Sequence, residues 1–223
     1  MVDQQTVKPH LYYWNCRGLG AFINLAFGAA GQDYDYTIYS MDREEDWKRD
    51  KLTHTNTLPN LPCLVDGSVI VTEHDAIFRH VLRKYKPELL GKTIDEQAEV
   101  DMFITFWMKT NGLIRDFCYS VKDPSDEAKR AEVTAIDYEL SRINERLATR
   151  EWLVGDSLTG ADLYMYETFR ALQLVHAEAA NQYANVKRVA DAIEETEWFK
   201  AYRGSSKWEN QFNGDEAFTN NKH

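Results

Sequence analysis

Between Leu58 and Arg79 the sequence LPNLPCLVDGSVIVTEHDAIFR holds residues suited to capturing a small anionic peptide. Pro62 cannot donate a ladder hydrogen bond, so Leu61, just before it, is expected to keep backbone groups free at a strand edge. Thr72, with Asp75 three positions on, reads as a capping box that opens a helix. A strand edge pairs with the amides of an extended peptide, and a helix N-terminus favours its carboxylate. A second candidate is Cys16, in a two-glycine loop beside Arg17. A helix N-terminus and a guanidinium next to a thiol lower its pKa and make it a nucleophile. The three cysteines are too far apart for a disulfide framework or a zinc pattern, and the six histidines show no ligand spacing. No metal site is expected.

Placing these residues requires a small sheet. Cys63–Val65 and Val69–Val71 are β-branched runs flanking Asp66-Gly67, a dipeptide suited to a hairpin turn with positive φ at both positions. Leu11–Trp14 reads as an aromatic strand and Asn15–Gly20 as a loop. Phe22, Leu25, Ala26 and Ala29 then form one helical stripe, stopped by Gly31. In Asp33–Tyr39, Tyr34, Tyr36 and Ile38 alternate with polar residues, which predicts a half-buried strand with those three facing inward. Strand, helix and strand make a βαβ unit with parallel strands. Residues 43–52 are charged and offer one or two helical turns. The helix after the hairpin runs through Ile77, Phe78, Val81, Leu82 and Tyr85, and Pro87 ends it.

Beyond this point the period is helical throughout. Val100, Phe103, Ile104 and Trp107 begin a long stripe that reaches Cys118. Asp123-Pro124 reads as an N-cap with proline at the first helical position. Val133, Ile136, Leu140, Ile143 and Leu147 recur at three and four. Thr159-Gly-Ala-Asp162 is a second capping box, and Val186, Val189, Ala190 and Ile193 mark a last helix, stopped by Gly204. The tail from Ser205 is polar and aromatic without a clear period. The fold expected is an α/β domain over residues 1–90 followed by an all-α bundle over residues 91–223.

The composition narrows the function classes. Apolar residues make up 43% of 223 residues, ample for a packed core, and the net charge is −10. The first 90 residues hold 10 basic and 12 acidic side chains, and the rest hold 16 and 24, so most of the acidity lies in the second part. Without a basic cluster, neither nucleic acid nor an anionic membrane is an expected partner. The polar N-terminus lacks a signal-peptide core, and the longest apolar stretch, Ala21–Ala30, is about half a membrane span. A cytoplasmic protein of a reducing compartment is expected.

Three segments in order, Tyr13-Trp-Asn-Cys-Arg-Gly-Leu19, Leu58-Pro-Asn-Leu-Pro62 and Leu158-Thr-Gly-Ala-Asp162, resemble the cytosolic glutathione transferases, and among them the mu class. The resemblance runs from about Leu11 to Ser206. It implies a thioredoxin-like domain, an all-helical domain and a homodimer. It also implies conjugation of glutathione to hydrophobic electrophiles, with glutathione as co-substrate and no cofactor. The glutathione thiol is mostly protonated at neutral pH, and a phenol donating to its sulfur favours the thiolate. Tyr13 is similar to the tyrosine that does this. Trp14, Trp47 and Lys51 resemble the residues that meet the glycine carboxylate. Asn60 and Leu61 resemble the pair that meets the glycyl and cysteinyl parts, and Pro62 the cis proline. Glu73 and His74 stand where the γ-glutamyl carboxylate meets the backbone at a helix start. Tyr119 resembles a tyrosine overhanging the electrophile, with Leu19, Met108 and Arg115 lining that cavity and Phe212 covering it.

The chain also departs from the mu pattern. Glu44 stands where arginine is usual, so either it turns outward or Arg43 substitutes. His74 replaces a serine, and an imidazole titrating near pH 6.5 would make binding pH-dependent. Lys109 replaces an aspartate that reaches the partner subunit's glutathione, and Leu58 replaces a phenylalanine that keys into the partner. Two other readings stand beside the transferase: a Cys16-dependent thiol transferase or reductase, and a non-catalytic ligand-binding relative.

Overall fold

A computed structural model describes residues 7–53 and 58–219. Strand β1 (His10–Trp14) leads through α1 (Gly20–Ala30) to β2 (Asp35–Tyr39), followed by a 3-10 turn at Met41–Arg43 and α2 (Glu44–Asp50). The hairpin β3 (Cys63–Asp66) and β4 (Val69–Thr72) precedes α3 (His74–Tyr85). The strand order is β2-β1-β3-β4, with β1 and β2 parallel and the other pairs antiparallel. Helices α4 (Ile94–Ser120), α5 (Asp126–Thr134), α6 (Asp137–Leu147), α7 (Gly160–Asn181), α8 (Ala184–Glu194) and α9 (Glu197–Arg203) complete an all-helical remainder. Among the described residues no helix is long and apolar enough to cross a membrane.

One continuous core joins the two parts. Phe22 of α1 stacks on Tyr164 of α7 at 4.4 Å, and Phe78 of α3 meets the same ring edge-on at 4.7 Å. Gly160 makes this approach possible, since a Cβ there would lie 3.1 Å from Leu82 and Phe78 side-chain atoms. Thr159 and Asp162 form the predicted capping box. The Asp162 carboxylate also accepts the Leu153 amide at 2.8 Å, which ties the preceding loop to the helix start. A smaller cluster of Tyr12, Tyr13, Cys16, Tyr39, Trp47, Leu61 and Cys63 packs apart from that core.

Several local expectations need correction. The hairpin turn is Gly67-Ser68, because Asp66 still pairs with Val69. The Asp66 side chain is buried instead, accepting from Lys84 at 2.6 Å and Tyr85 at 2.8 Å and meeting His80 Nε2 at 2.8 Å, so it pins the hairpin to α3. Thr72 is the last residue of β4 rather than a cap, and its hydroxyl donates to the Leu58 carbonyl at 2.9 Å. Glu73 takes the N-cap position with φ 68° and makes no side-chain cap. Asp123-Pro124 does not start a helix. Ser125 caps α5, accepting from the Ala128 amide at 3.2 Å. The stripe from Val133 to Leu147 is broken at Ile136 (φ −115°, ψ 25°), so two helices share it. In β2, Ile38 is exposed while Tyr39 is buried. This strand lies at the sheet edge, and its end meets α2, where Tyr39 packs against Trp47 at 5.5 Å.

Candidate active site

Tyr13 is next to last in β1, and successive strand residues point to opposite faces. Tyr12 stacks on the His10 ring at 4.1 Å. Tyr13 turns toward the start of α1. Its ring lies on Gly20, where a Cβ would come within 2.4 Å of Tyr13 Cδ1. Its hydroxyl lies on Gly18 (φ 36°), where a Cβ would come within 2.7 Å of Oη. Neither glycine can become a larger residue without moving the tyrosine. The Leu19 amide donates to Tyr13 Oη at 2.9 Å. Burial pushes the phenol's ionisation well above its ordinary range, a stronger effect than the opposing pull of that amide. The hydroxyl therefore stays protonated at neutral pH, with its oxygen held from the loop side and its proton available to an acceptor.

The residues expected around glutathione are partly assembled here. Trp47 and Leu61 are buried in the same small cluster as Tyr13, with Trp14 packed on its margin. The Leu61–Pro62 bond is cis. Leu61 does not keep its amide free, because Asn60 reaches forward and accepts it on Oδ1 at 2.9 Å. Glu73 turns the chain from β4 into α3 at positive φ, a conformation that costs a non-glycine residue about 1–3 kcal/mol. Glu44 turns outward and pairs with Lys48 at 2.8 Å. The Arg43 side chain is 74% exposed and lies 3.7 Å from Asp46. Lys51 follows α2, its amide bonded to the Trp47 carbonyl at 2.7 Å.

His74 overturns an expectation. Its ring lies 5.8 Å from Phe22 and 6.4 Å from Tyr164, and burial pushes its pKa down to about 4. Burial among these rings thus favours the neutral imidazole.

Of the residues expected around an electrophile, Leu19, Arg115 and Phe212 line one cavity of about 20 Å³ with Gly18, Asn111, Ile114, Ala171 and Asn213, room for roughly one water. Met108 is not among its walls and packs on the main core. The Tyr119 hydroxyl accepts the Gly214 amide at 2.7 Å, so the tail sits on it. Arg17 and Gly18 donate backbone hydrogen bonds to the carbonyls of Gln211 and Phe212, at 2.8 and 2.9 Å. Residues 205–219, which show no period in sequence, thus cover the loop of Arg17 and Gly18 and the end of α4.

Cys16 is not an activated thiol. It is buried, and burial pushes its pKa up to about 12, assisted by the fields of Glu209 and Asp215. Arg17, the cation expected to lower it, turns away to Glu167 at 2.5 Å. Sequence reasoning missed Gly18 and Gly20 as the seat of Tyr13. Their crowding depends on where one ring lies, although two glycines closely following a Tyr-Trp pair were a usable signal. Glu167 lies 150 residues from its partner and carried no local signal.

Two family models match the chain: Glutathione S-transferase, N-terminal domain, over residues 9–83, and Glutathione S-transferase, C-terminal domain, over residues 111–206. The chain belongs to the glutathione S-transferase family. It is 29% identical over 205 residues to human Glutathione S-transferase Mu 2, covering 89% of this chain and 91% of that protein. It is 28% identical over 199 residues to the class-mu 26 kDa isozyme 51 of Fasciola hepatica, covering 89% of each. Among solved structures, NaGST-2 superposes with a TM-score of 0.73 at 23% identity, covering 90% of this chain and 99% of that one. Rat hPGDS complexed with a quinoline superposes with a TM-score of 0.75 at 20% identity, covering 90% and 100%. As a glutathione S-transferase the chain is a transferase. The N-terminal family match contains Tyr13, Trp14, Trp47, Lys51, Asn60–Pro62, Glu73 and His74, and the C-terminal match contains Arg115 and Tyr119. Phe212 lies beyond both.

Proposed function

We propose that this glutathione S-transferase conjugates glutathione to hydrophobic electrophiles, with Tyr13 as the catalytic residue that stabilises the glutathione thiolate. One observation carries the reading. Tyr13 Oη accepts the Leu19 amide while burial keeps the phenolic proton in place. A neutral phenol fixed in this way is a hydrogen-bond donor waiting for an anion. As the thiol loses its proton, the O–H···S contact strengthens, and each pKa unit so gained is worth about 1.4 kcal/mol. The sulfur then attacks the electrophilic carbon and the leaving group departs with the bonding electrons, or the sulfur adds to one carbon of an activated double bond while the other takes a proton from water.

Trp14, Trp47 and Lys51 would hold the glycine carboxylate, Asn60, Leu61 and Pro62 the middle of the tripeptide, and the backbone at Glu73 and His74 the γ-glutamyl end. Glutathione is the co-substrate and no cofactor is invoked. The active form is proposed to be a homodimer, with Leu58, 63% exposed in the single chain, at the contact. Turnover with a chlorodinitrobenzene-type electrophile tests this reading. Tyr13→Phe should lower it by one to two orders of magnitude, about 1.4–2.7 kcal/mol, with glutathione binding largely spared. An unchanged rate would refute the assignment.

A further inference from the structure

The Tyr13 hydroxyl is seated on the Gly18–Leu19 peptide, and what holds that peptide comes from far along the chain. Arg17 reaches from the loop to Glu167 of α7, Nη2 to Oε2 at 2.5 Å, with 10% of its side chain exposed and 1% of the glutamate's. The guanidinium lies 4.5 Å from the centre of the Trp208 ring and 4.9 Å from that of Phe212. The Arg17 and Gly18 amides donate to the tail at Gln211 and Phe212. The Arg17 carbonyl accepts the Ala21 amide at 2.8 Å and so enters the first turn of α1. The loop is therefore clamped between α7, the tail and α1, and Leu19 is presented to the phenol from this clamp.

The pair is poorly arranged for stability alone. Among the described residues, Arg17 Nε and Glu167 Oε1 are buried without hydrogen-bond partners, so one hydrogen bond joins two desolvated charges. A buried ion pair of this kind gives little net stability against well-packed apolar residues of similar size. It does fix position, because the charge-assisted bond from Nη2 and the two aromatic rings against the guanidinium together hold the chain that carries Arg17.

We propose that Arg17 and Glu167 are positioning residues that hold the Gly18–Leu19 peptide on the Tyr13 oxygen and so keep the phenolic proton aimed at the glutathione sulfur. The inference rests on the Tyr13 reading above. A direct field of Arg17 on the sulfur is a different mechanism, and the guanidinium's charge is already opposed by Glu167.

The test titrates the ultraviolet thiolate absorbance of glutathione bound to the full-length protein and measures glutathione affinity alongside. In Arg17→Met the thiol midpoint should rise by about half a unit to one unit while affinity changes by less than about twofold. Adding Arg17→Met to Tyr13→Phe should give no further rise, because a residue that acts through another loses its effect when that other is gone. A midpoint equal to wild type in folded Arg17→Met overturns the inference, and so does an equal additional rise in the Tyr13→Phe background. Should Arg17→Met not fold, Arg17→Met/Glu167→Leu removes both buried charges together and is read in the same way, a wild-type midpoint again counting against the proposal. If Tyr13→Phe alone leaves the midpoint unchanged, the Tyr13 reading fails first.

Discussion

The amide of Leu19 donates to the hydroxyl oxygen of Tyr13 at 2.9 Å, across a turn that contains Gly18. This bond fixes the oxygen of a buried phenol without consuming its proton. Gly20 sets the other side of the ring. Gly20→Ala forces a Cβ to within 2.4 Å of Tyr13 Cδ1 unless the ring or the helix start moves. Overpacking of this kind costs about 1–3 kcal/mol. We expect kcat/KM with any electrophile to fall by about tenfold or more, with the melting temperature lowered. Steady-state kinetics and a thermal melt check this, and wild-type turnover in the variant would show that the ring is not held from that side.

The tail closes one side of a small cavity. Phe212 is buried over the roughly 20 Å³ cavity it shares with Leu19 and Arg115. Phe212→Ala should widen that cavity and cost about 3 kcal/mol of stability. The ratio of kcat/KM for a bulky electrophile to that for a small one should rise by about threefold or more. An unchanged ratio would place the electrophile elsewhere.

His74 makes a pH prediction. Its pKa is lowered to about 4 in the folded chain and is about 6.5 when unfolded, so between these values the unfolded state binds more protons. Its neutral-form contribution is fully present above pH 6.5 and is lost progressively as the pH falls toward 4, by about 2 kcal/mol in total after allowing for its partial exposure. Urea midpoints between pH 7 and pH 4 should fall less steeply in His74→Ser than in wild type. Parallel slopes would show that the imidazole is not desolvated.

Asp162 supports α7 where it meets α3. Asp162→Ala removes the acceptor of the Thr159 and Leu153 amides and of the Thr159 hydroxyl, all at 2.8–2.9 Å. Losing the cap and stranding a buried donor should cost about 2–4 kcal/mol, read as a lowered denaturant midpoint at unchanged slope. A loss under about 0.5 kcal/mol would mean that the loop re-forms its bonds elsewhere.

Much of this was legible in sequence, for identifiable reasons. The βαβ unit, the hairpin and the α7 capping box depend on neighbours within a few residues, and periodicity reports those. Where the reading failed, a distant partner had intervened. Asp66 looked like a turn residue because Asp-Gly favours turns, but three side chains of α3 draw it into the sheet's end. Thr72 looked like a cap, yet the Leu58 carbonyl takes its hydroxyl. Arg17 looked like an activator of Cys16 because the two are adjacent, while Glu167 is its partner. The tail carried no period because its order comes from backbone bonds to the Cys16–Gly18 loop and α4, and not from a face of its own.

The central claim is that one phenolic proton lowers the pKa of bound glutathione. Its most direct measurement is the thiolate absorbance of the glutathione complex against pH, in wild type and Tyr13→Phe. The account requires a midpoint in wild type well below the free thiol's value of about 8.5, and a rise of about one to two units in the variant. Coincident titration curves for the two proteins would contradict it.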